Sequence, residues 1–131
     1  MRDMKKNALI VDDDRIVRII HAALLLNAGY TVYEAENGEA AVQQFHSQQQ
    51  FDIVLMDYNM PGMDGVSATR EIRNLENNNT RVCIIGITAD VSAETKLACI
   101  AAGMDEVIHK PVLPAAFAQL LQSLLASSPA Q

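Results

Sequence analysis

Short apolar runs that stop at a polar residue recur along the chain: Ala8–Val11 before Asp12, Phe51–Met56 before Asp57, and Val82–Ile87 before Thr88. A strand whose residues are nearly all apolar, rather than alternating with polar ones, is one buried on both faces. Between these runs the periodicity is helical. Ile16, Ile20, Ala23 and Leu24 recur at the spacing of a first helix, stopped by Asn27 and Gly29. Tyr30–Ala35 reads as a strand, and Asn37-Gly38 opens a second helix with Ala41, Val42 and Phe45 facing inward. The turn Pro61-Gly62-Met63-Asp64-Gly65 leads into a third helix reaching about Leu75, followed by a polar loop at Asn77-Asn78-Asn79. Ser92 can cap a fourth helix that runs to Ala102 and ends at Gly103, and Glu106–His109 is a last strand before Lys110-Pro111. Pro114 suits the first turn of a fifth helix, whose stripe is Phe117, Leu120, Leu121, Leu124 and Leu125. Five strands alternating with five helices imply an α/β fold, a doubly wound parallel sheet with helices on both faces. Ligands of such folds bind beyond the carboxyl ends of the strands.

Length and charge narrow the functional classes. A chain of 131 residues, half of them hydrophobic, is expected to form one domain over residues 1–131, with its core at about 7–126 and a tail or linker at 127–131. No apolar run approaches the ~20 residues needed to cross a bilayer, and no leader-like stretch follows MRDMKK, so a cytoplasmic protein without membrane insertion is expected. The net charge of -6 argues against direct nucleic-acid binding. Cys83 and Cys99 stand in apolar contexts without metal-type spacing and read as buried thiols. His21 and His46 read as helix-surface residues, His109 as a strand-end packing residue, and Met56, Met60 and Met63 as gap fillers.

The polar residues that follow the strands fall on one edge of such a sheet: Asp12, Asp13 and Asp14 after the first, Asp57 after the third, Thr88 after the fourth and Lys110 after the fifth. A single aspartate at a strand end is ordinarily a turn former or a helix cap, and Asp14 is expected to cap the first helix. Joint placement after four strands requires more. Two carboxylates ~5 Å apart repel by roughly 3 kcal/mol at an effective dielectric of 20, so the group calls for a cation. Mg²⁺ prefers hard oxygen ligands and suits one or two carboxylates plus a phosphoryl oxygen, whereas the absence of Cys and His here disfavours zinc. With the charge partly neutralised, a carboxylate can attack phosphorus and form an aspartyl phosphate. Lys110 and Thr88 then supply an ammonium and a hydroxyl to the transferred oxygens.

From LIVDDD through VLMDYNMPGMDG and GITA to HKP, nearly the whole chain resembles the receiver domains of two-component response regulators and hybrid histidine kinases. The resemblance implies a flavodoxin-like sheet with strand order 2-1-3-4-5. It makes Asp57 the phosphoacceptor, Asp13 a direct Mg²⁺ ligand, Asp12 a partner acting largely through metal-bound water, and Asn59 a donor of its backbone carbonyl. Thr88 corresponds to the switch hydroxyl, Ala89 to the small neighbour that leaves room for the phosphoryl group, and Lys110 to the charge partner, with a cis bond to Pro111. Pro61, Gly62 and Gly65 match the family turn beyond the acceptor, and Asn59 and Asp90 the positions that tune loss of the phosphoryl group to water. The stretch Ala101–Asp105 looks more like receivers of hybrid kinases or phosphorelays than like those driving DNA-binding domains. Two positions depart from the pattern: Val107 stands where many receivers carry Tyr or Phe, and Arg15 where Pro is frequent.

The function implied is that of a signalling domain taking a phosphoryl group from a partner phosphohistidine, rather than an enzyme acting on external substrates. The partner is a histidine kinase or histidine phosphotransfer protein, docking near Ile16, Pro111 and Val112; a weak dimer is left open. Three rival functions fit parts of the pattern. A Mg²⁺-dependent phosphohydrolase working through an aspartyl phosphate usually needs a second aspartate two residues after the nucleophile, where this chain has Asn59. A flavin or nucleotide module would cradle phosphate with Gly, Ser or Thr after the first strand, where DDDR stands. A non-phosphorylated interaction module would have no use for the acidic cluster.

Overall fold

The structure is a computed structural model that describes residues 6–47, 50–76, 81–90 and 92–127, with side chains described to 124. The expected loop at Asn77-Asn78-Asn79, the side chain of Leu125 and the tail beyond residue 127 lie outside these residues. Strands β1 (Lys6–Val11), β2 (Tyr30–Ala35), β3 (Ile53–Asp57), β4 (Cys83–Thr88) and β5 (Glu106–His109) alternate with helices α1 (Arg15–Asn27), α2 (Gly38–His46), α3 (Gly65–Leu75), α4 (Ala93–Ala102) and α5 (Pro114–Ser127). The five strands form one parallel sheet in the order β2-β1-β3-β4-β5, the flavodoxin-like order expected.

Alternation along the strands divides the core in two. Leu9, Val11, Val54, Met56 and Ile84 point to one face, where Ala41 and Val42 of α2, Ala68 and Ile72 of α3, and Cys99 of α4 cover them. Ala8, Ile10, Ile53, Leu55, Ile85 and Ile87 point to the other, against Leu25 of α1 and Phe117 of α5. Both faces are thus closed by helices, which is why the central strands carry apolar residues without alternation.

Helix α1 buries only one part of its apolar surface. Leu25 and His21 are buried and Val17, Ala22 and Leu24 half-buried, whereas Ala23 is exposed, and Ile16 and Ile20 stand 63% and 52% exposed. Apolar residues surround this helix almost completely, so spacing alone does not select the buried side. Packing against the sheet selects the side with Leu25, Ala22 and Leu24, and Asp14 starts the helix as its N-cap, accepting from the amides of Ile16 and Val17. His21 is therefore a core residue and not the surface residue expected, while His46 is exposed as expected. His109 is exposed rather than packed. Of the two thiols, Cys99 is buried, while Cys83 is half-buried and its pKa is pushed up to about 11, chiefly by burial.

The edge of the sheet remote from the aspartates is tied by Arg73. Its guanidinium donates to the carbonyls of Gly103 (2.9 Å) and Val82 (2.7 Å) and to the carboxylates of Glu76 (2.8 Å) and Asp105 (2.9 Å). The same carboxylates accept the amides of Val82 and Ile84, so α3, the start of β4 and the turn before β5 share one network. Replacing one member of such a buried network leaves the others uncompensated. Arg73→Met is expected to lower stability by about 3 kcal/mol, read as a fall in Tm of roughly 10 °C. Thr69→Val is the contrasting case, because the buried Thr69 hydroxyl has no hydrogen-bond partner among the described residues. Its Tm should stay level or rise, since the substitution removes an unsatisfied polar atom and keeps the shape.

Candidate functional site

Parallel strands all end on the same edge, and the residues just beyond their ends are brought together there. Asp12 follows β1, Asp57 closes β3, Thr88 closes β4 and Lys110 follows β5. Asp12 and Asp57 are only 2% and 3% exposed, while Asp13 is open to solvent. One carboxylate oxygen from each of Asp12, Asp13 and Asp57 lies within 4.8 Å of the other two. The Lys110 Nζ stands 3.0 Å from Asp57 Oδ1 and 3.3 Å from Asp12 Oδ2. Residues distant in sequence thus meet as the strand pattern requires, and Asp14 stays apart as a helix cap.

Each group is held from behind. Asp12 Oδ1 accepts the amide of Asp14 at 2.9 Å, and its backbone carbonyl accepts from Arg18 Nη1 at 2.8 Å. Arg18 also pairs with Glu34 at 2.8 Å, which ties α1 to β2 beside the cluster. Nothing in the sequence marks Arg18 for this role, because a single arginine on a helix carries no signal of its target. The amide of Lys110 donates to the Thr88 carbonyl at 2.9 Å, so β5 delivers the lysine at a fixed height, and the bond to Pro111 is cis as expected.

The turn after β3 is shaped by two glycines. Gly62 adopts φ +77°, in the left-handed region that side chains rarely enter. At Gly65 a Cβ would collide with the Asp57 carbonyl oxygen, so only glycine lets α3 start against the end of β3. Pro61 is exposed on the same turn, and Met60 is buried beneath it.

Burial pushes the Asp57 carboxyl above its ordinary value. The hydrogen bond and charge of Lys110 and the Asn59 amide pull it down, but burial and the Asp12 charge outweigh them. Burial likewise opposes the Lys110 charge, yet Asp57 and Asp12 carry its pKa above normal. His21 is buried, and chiefly that burial lowers its pKa below the ordinary value. Three carboxylates face one ammonium, so the cluster keeps an excess of negative charge.

The donor set fits a hard divalent cation. Adjacent ligands on an octahedral Mg²⁺ lie about 3 Å apart and opposite ones about 4 Å, given Mg–O distances near 2.1 Å. The observed spread of no more than 4.8 Å is within a small contraction of that geometry, and every donor is oxygen.

The remaining expected site residues fall into place unequally. Ala89 is exposed directly after Thr88. The Thr88 hydroxyl is buried and bonded to the backbone of Asp90, accepting its amide at 2.9 Å and donating to its carbonyl at 3.1 Å. Val107 is part of the core on the face of α2, α3 and α4. On the rim, Ile16 and Pro111 are exposed, but Val112 is buried in the core beside Phe117 and is not a docking residue. Leu113, 59% exposed, presents the apolar surface expected of Val112. The loop after a cis proline has no periodicity from which sequence could choose between them.

A family model described as the response regulator receiver domain matches residues 8–122. The sensor histidine kinase RcsC of Escherichia coli is 41% identical over 104 residues, covering 79% of this chain and 10% of that protein. The CAI-1 autoinducer sensor kinase/phosphatase CqsS of Vibrio cholerae is 39% identical over 107 residues, covering 82% of this chain and 16% of that protein. The chain thus spans well under a fifth of the length of these curated relatives. Among solved structures, the receiver domain of sensor histidine kinase PA1611 from Pseudomonas aeruginosa has TM-score 0.81 at 35% identity, covering 94% of this chain and 99% of that one. That domain was crystallised with a magnesium ion coordinated in its active-site cleft. These relatives favour signalling over a phosphohydrolase, a flavin or nucleotide module, or a non-phosphorylated interaction module. Among the described residues, no helix is long and apolar enough to cross a membrane.

Proton and cation compete for the same carboxylates, which sets the sign of the pH dependence, and the raised value of Asp57 moves it to higher pH. Mg²⁺ at ten times its Kd should stabilise the protein by about 1.4 kcal/mol, a rise in Tm of roughly 5 °C. The rise should be full at neutral pH and fade as pH falls through the raised Asp57 value, at higher pH than an ordinary carboxyl near 3.8 would give. Thermal melts with and without Mg²⁺ over that range check this, and Asp13→Asn should lose most of the shift.

Proposed function

Because the chain belongs to the response regulator receiver domain family, we propose that Asp57 accepts a phosphoryl group from a phosphohistidine of a partner and so switches or relays a signal. The observation that carries this reading is the convergence of Lys110 on Asp57 at 3.0 Å and on Asp12 at 3.3 Å, beside the oxygen cluster completed by Asp13. The unit is one receiver domain, with its core at about 7–126 and a tail or linker at 127–131.

Asp57 attacks phosphorus through a carboxylate oxygen. A P–O bond forms as the P–N bond to imidazole breaks, and the ring nitrogen keeps the electron pair. When bound, Mg²⁺ supplies charge neutralisation and polarises the phosphoryl oxygens. Asp13 and Asp57, the backbone carbonyl of Asn59, and Asp12 largely through water are the groups that hold it. Lys110 orients the Asp57 carboxylate beforehand and afterwards places its ammonium against the added charge. Thr88 donates its hydroxyl to a transferred oxygen, and Ala89 leaves that oxygen room. Asn59 and Asp90 flank the path by which water removes the group. The cis Pro111 and the turn Pro61-Gly62-Gly65 hold these backbones in place.

The donor is a histidine kinase or histidine phosphotransfer protein, the context in which the relatives occur. Its helix meets the rim beside the cluster, where Ile16, Ile20, Pro111 and Leu113 are exposed. An apolar rim around a buried acidic site suits a partner that must exclude water while the phosphoryl group moves.

Two experiments test this. Incubation with Mg²⁺ and acetyl phosphate, followed by mass spectrometry, should add one hydroxylamine-sensitive phosphoryl group. Asp57→Asn and metal-free protein should gain none, and modification of Asp57→Asn to the wild-type extent would refute the assignment. Ile16→Asp and Leu113→Asp should slow transfer from a phosphohistidine partner at least about tenfold, the scale of one lost anchor, with acetyl phosphate still effective. Equal loss with both donors would remove the rim from the docking surface.

A further inference from the structure

Every polar atom of Asp12 is held, and by four different segments. Its amide donates to the carbonyl of Ala35 on β2 at 3.2 Å, and its carbonyl accepts from Arg18 Nη1 of α1 at 2.8 Å. Its Oδ1 accepts the Asp14 amide at 2.9 Å, and its Oδ2 faces Lys110 Nζ at 3.3 Å. The last two partners belong to the same turn or to the site itself, since Lys110 is shared with Asp57. The first two come from outside, and of these only Arg18 acts through a side chain. Arg18 stands one turn into α1, its amide donating to the Asp14 carbonyl at 3.0 Å. Its side chain is 13% exposed and bridges two elements, with Nη1 on the Asp12 peptide and Nε on Glu34 Oε1 of β2 at 2.8 Å. Glu34 is fixed in turn, because its carbonyl accepts from Gln44 Nε2 of α2 at 3.0 Å. A planar guanidinium fork makes both contacts at once in set directions.

We propose that Arg18, oriented by Glu34, is a positioning residue that makes the oxygen cluster select Mg²⁺ over larger divalent cations. The inference rests on the reading of that cluster as the metal site. Mg²⁺ demands near-octahedral ligands at about 2.1 Å, whereas Ca²⁺ takes six to eight oxygens at about 2.3–2.6 Å in looser geometry. Accepting the larger ion therefore requires the donors to move outward by roughly 0.2–0.5 Å. Asp57 closes β3 and cannot retreat without its strand, while Asp13 is open to solvent and has room to adapt. Asp12 is the remaining member, and the place of its carboxylate is set by the peptide that Arg18 holds against β2. Charge alone has the opposite effect. A guanidinium beside three carboxylates repels an incoming cation, so its removal, by electrostatics alone, tightens every divalent ion. Positioning and charge thus give different signs for one substitution.

The test measures the Kd of Mg²⁺ and of Ca²⁺ on the full chain by calorimetric titration. Wild type should bind Mg²⁺ more tightly than Ca²⁺. Arg18→Met keeps the apolar stem and removes both donors. Its Mg²⁺ Kd should rise about tenfold, the lower end of the range for losing a group that orients a ligand, while its Ca²⁺ Kd changes by less than about threefold because the looser geometry tolerates the shift. Glu34 is exposed, so Glu34→Ala releases Arg18 without a buried substitution, and it should erode the preference for Mg²⁺ in the same direction. Glu34→Gln keeps an oxygen for Nε and should retain the wild-type preference; its loss there would overturn the orienting role of Glu34. Tighter binding of both ions by Arg18→Met would leave only a charge effect, and equal weakening of both only a structural one, and either result would overturn the proposal. A wild-type preference in Glu34→Ala would overturn it even where Arg18→Met fails to fold. Mg²⁺ binding to wild type with the preference unchanged in the variants would overturn this inference alone, whereas no Mg²⁺ binding to wild type would overturn the reading of the cluster as a metal site and the role of Arg18 together.

Discussion

Lys110 lies between two nearly buried carboxylates and balances only part of the charge around it. Three aspartates converge on that edge, and their mutual repulsion would be untenable without the ammonium and a place for a further cation. The rest of the molecule serves to keep this unfavourable arrangement intact. Parallel strands bring the residues to one edge, the Thr88 carbonyl sets the height of Lys110, and Arg18 holds the Asp12 backbone. At the opposite end of β4 the Arg73 network ties α3 to the sheet independently of the site.

The site separates roles by environment. Asp57 is buried, and that burial pushes its carboxyl above the ordinary value, so its charge is held at a cost that Lys110 only partly offsets. Asp13 is exposed and available to an incoming ion, and Asp14 is spent on the cap of α1. Three successive aspartates thus differ in role, since Asp12 is buried against Lys110, Asp13 is open to solvent and Asp14 caps α1. Thr88 is set apart again, since its proton is committed to the loop that leads into α4.

The legible part of the site was the set of residues directly after the strands: Asp12, Asp13, Asp57, Thr88 and Lys110 are each announced by an apolar run that ends at or just before them. Supporting residues left no such mark. Arg18 and Arg73 lie on helices, where their partners come from remote segments, and a lone polar residue at helical spacing has no characteristic pattern. The buried side of α1 was hidden for a related reason. Its apolar residues occupy almost the whole circumference, so spacing did not single out Leu25 for the core, and His21 looked fit only for the surface. Val112 and Leu113 posed the same ambiguity one residue apart.

By itself the sequence determined the order of elements, the doubly covered parallel sheet and the edge on which the acids gather, because apolar run length and helical spacing are local properties of the chain. Tertiary structure alone decided which stripe of α1 is buried, which rim residues face outward, and where the Thr88 proton goes. Those outcomes depend on the rotation of one element against another and on single hydrogen bonds between distant residues, and neither is encoded in a local pattern.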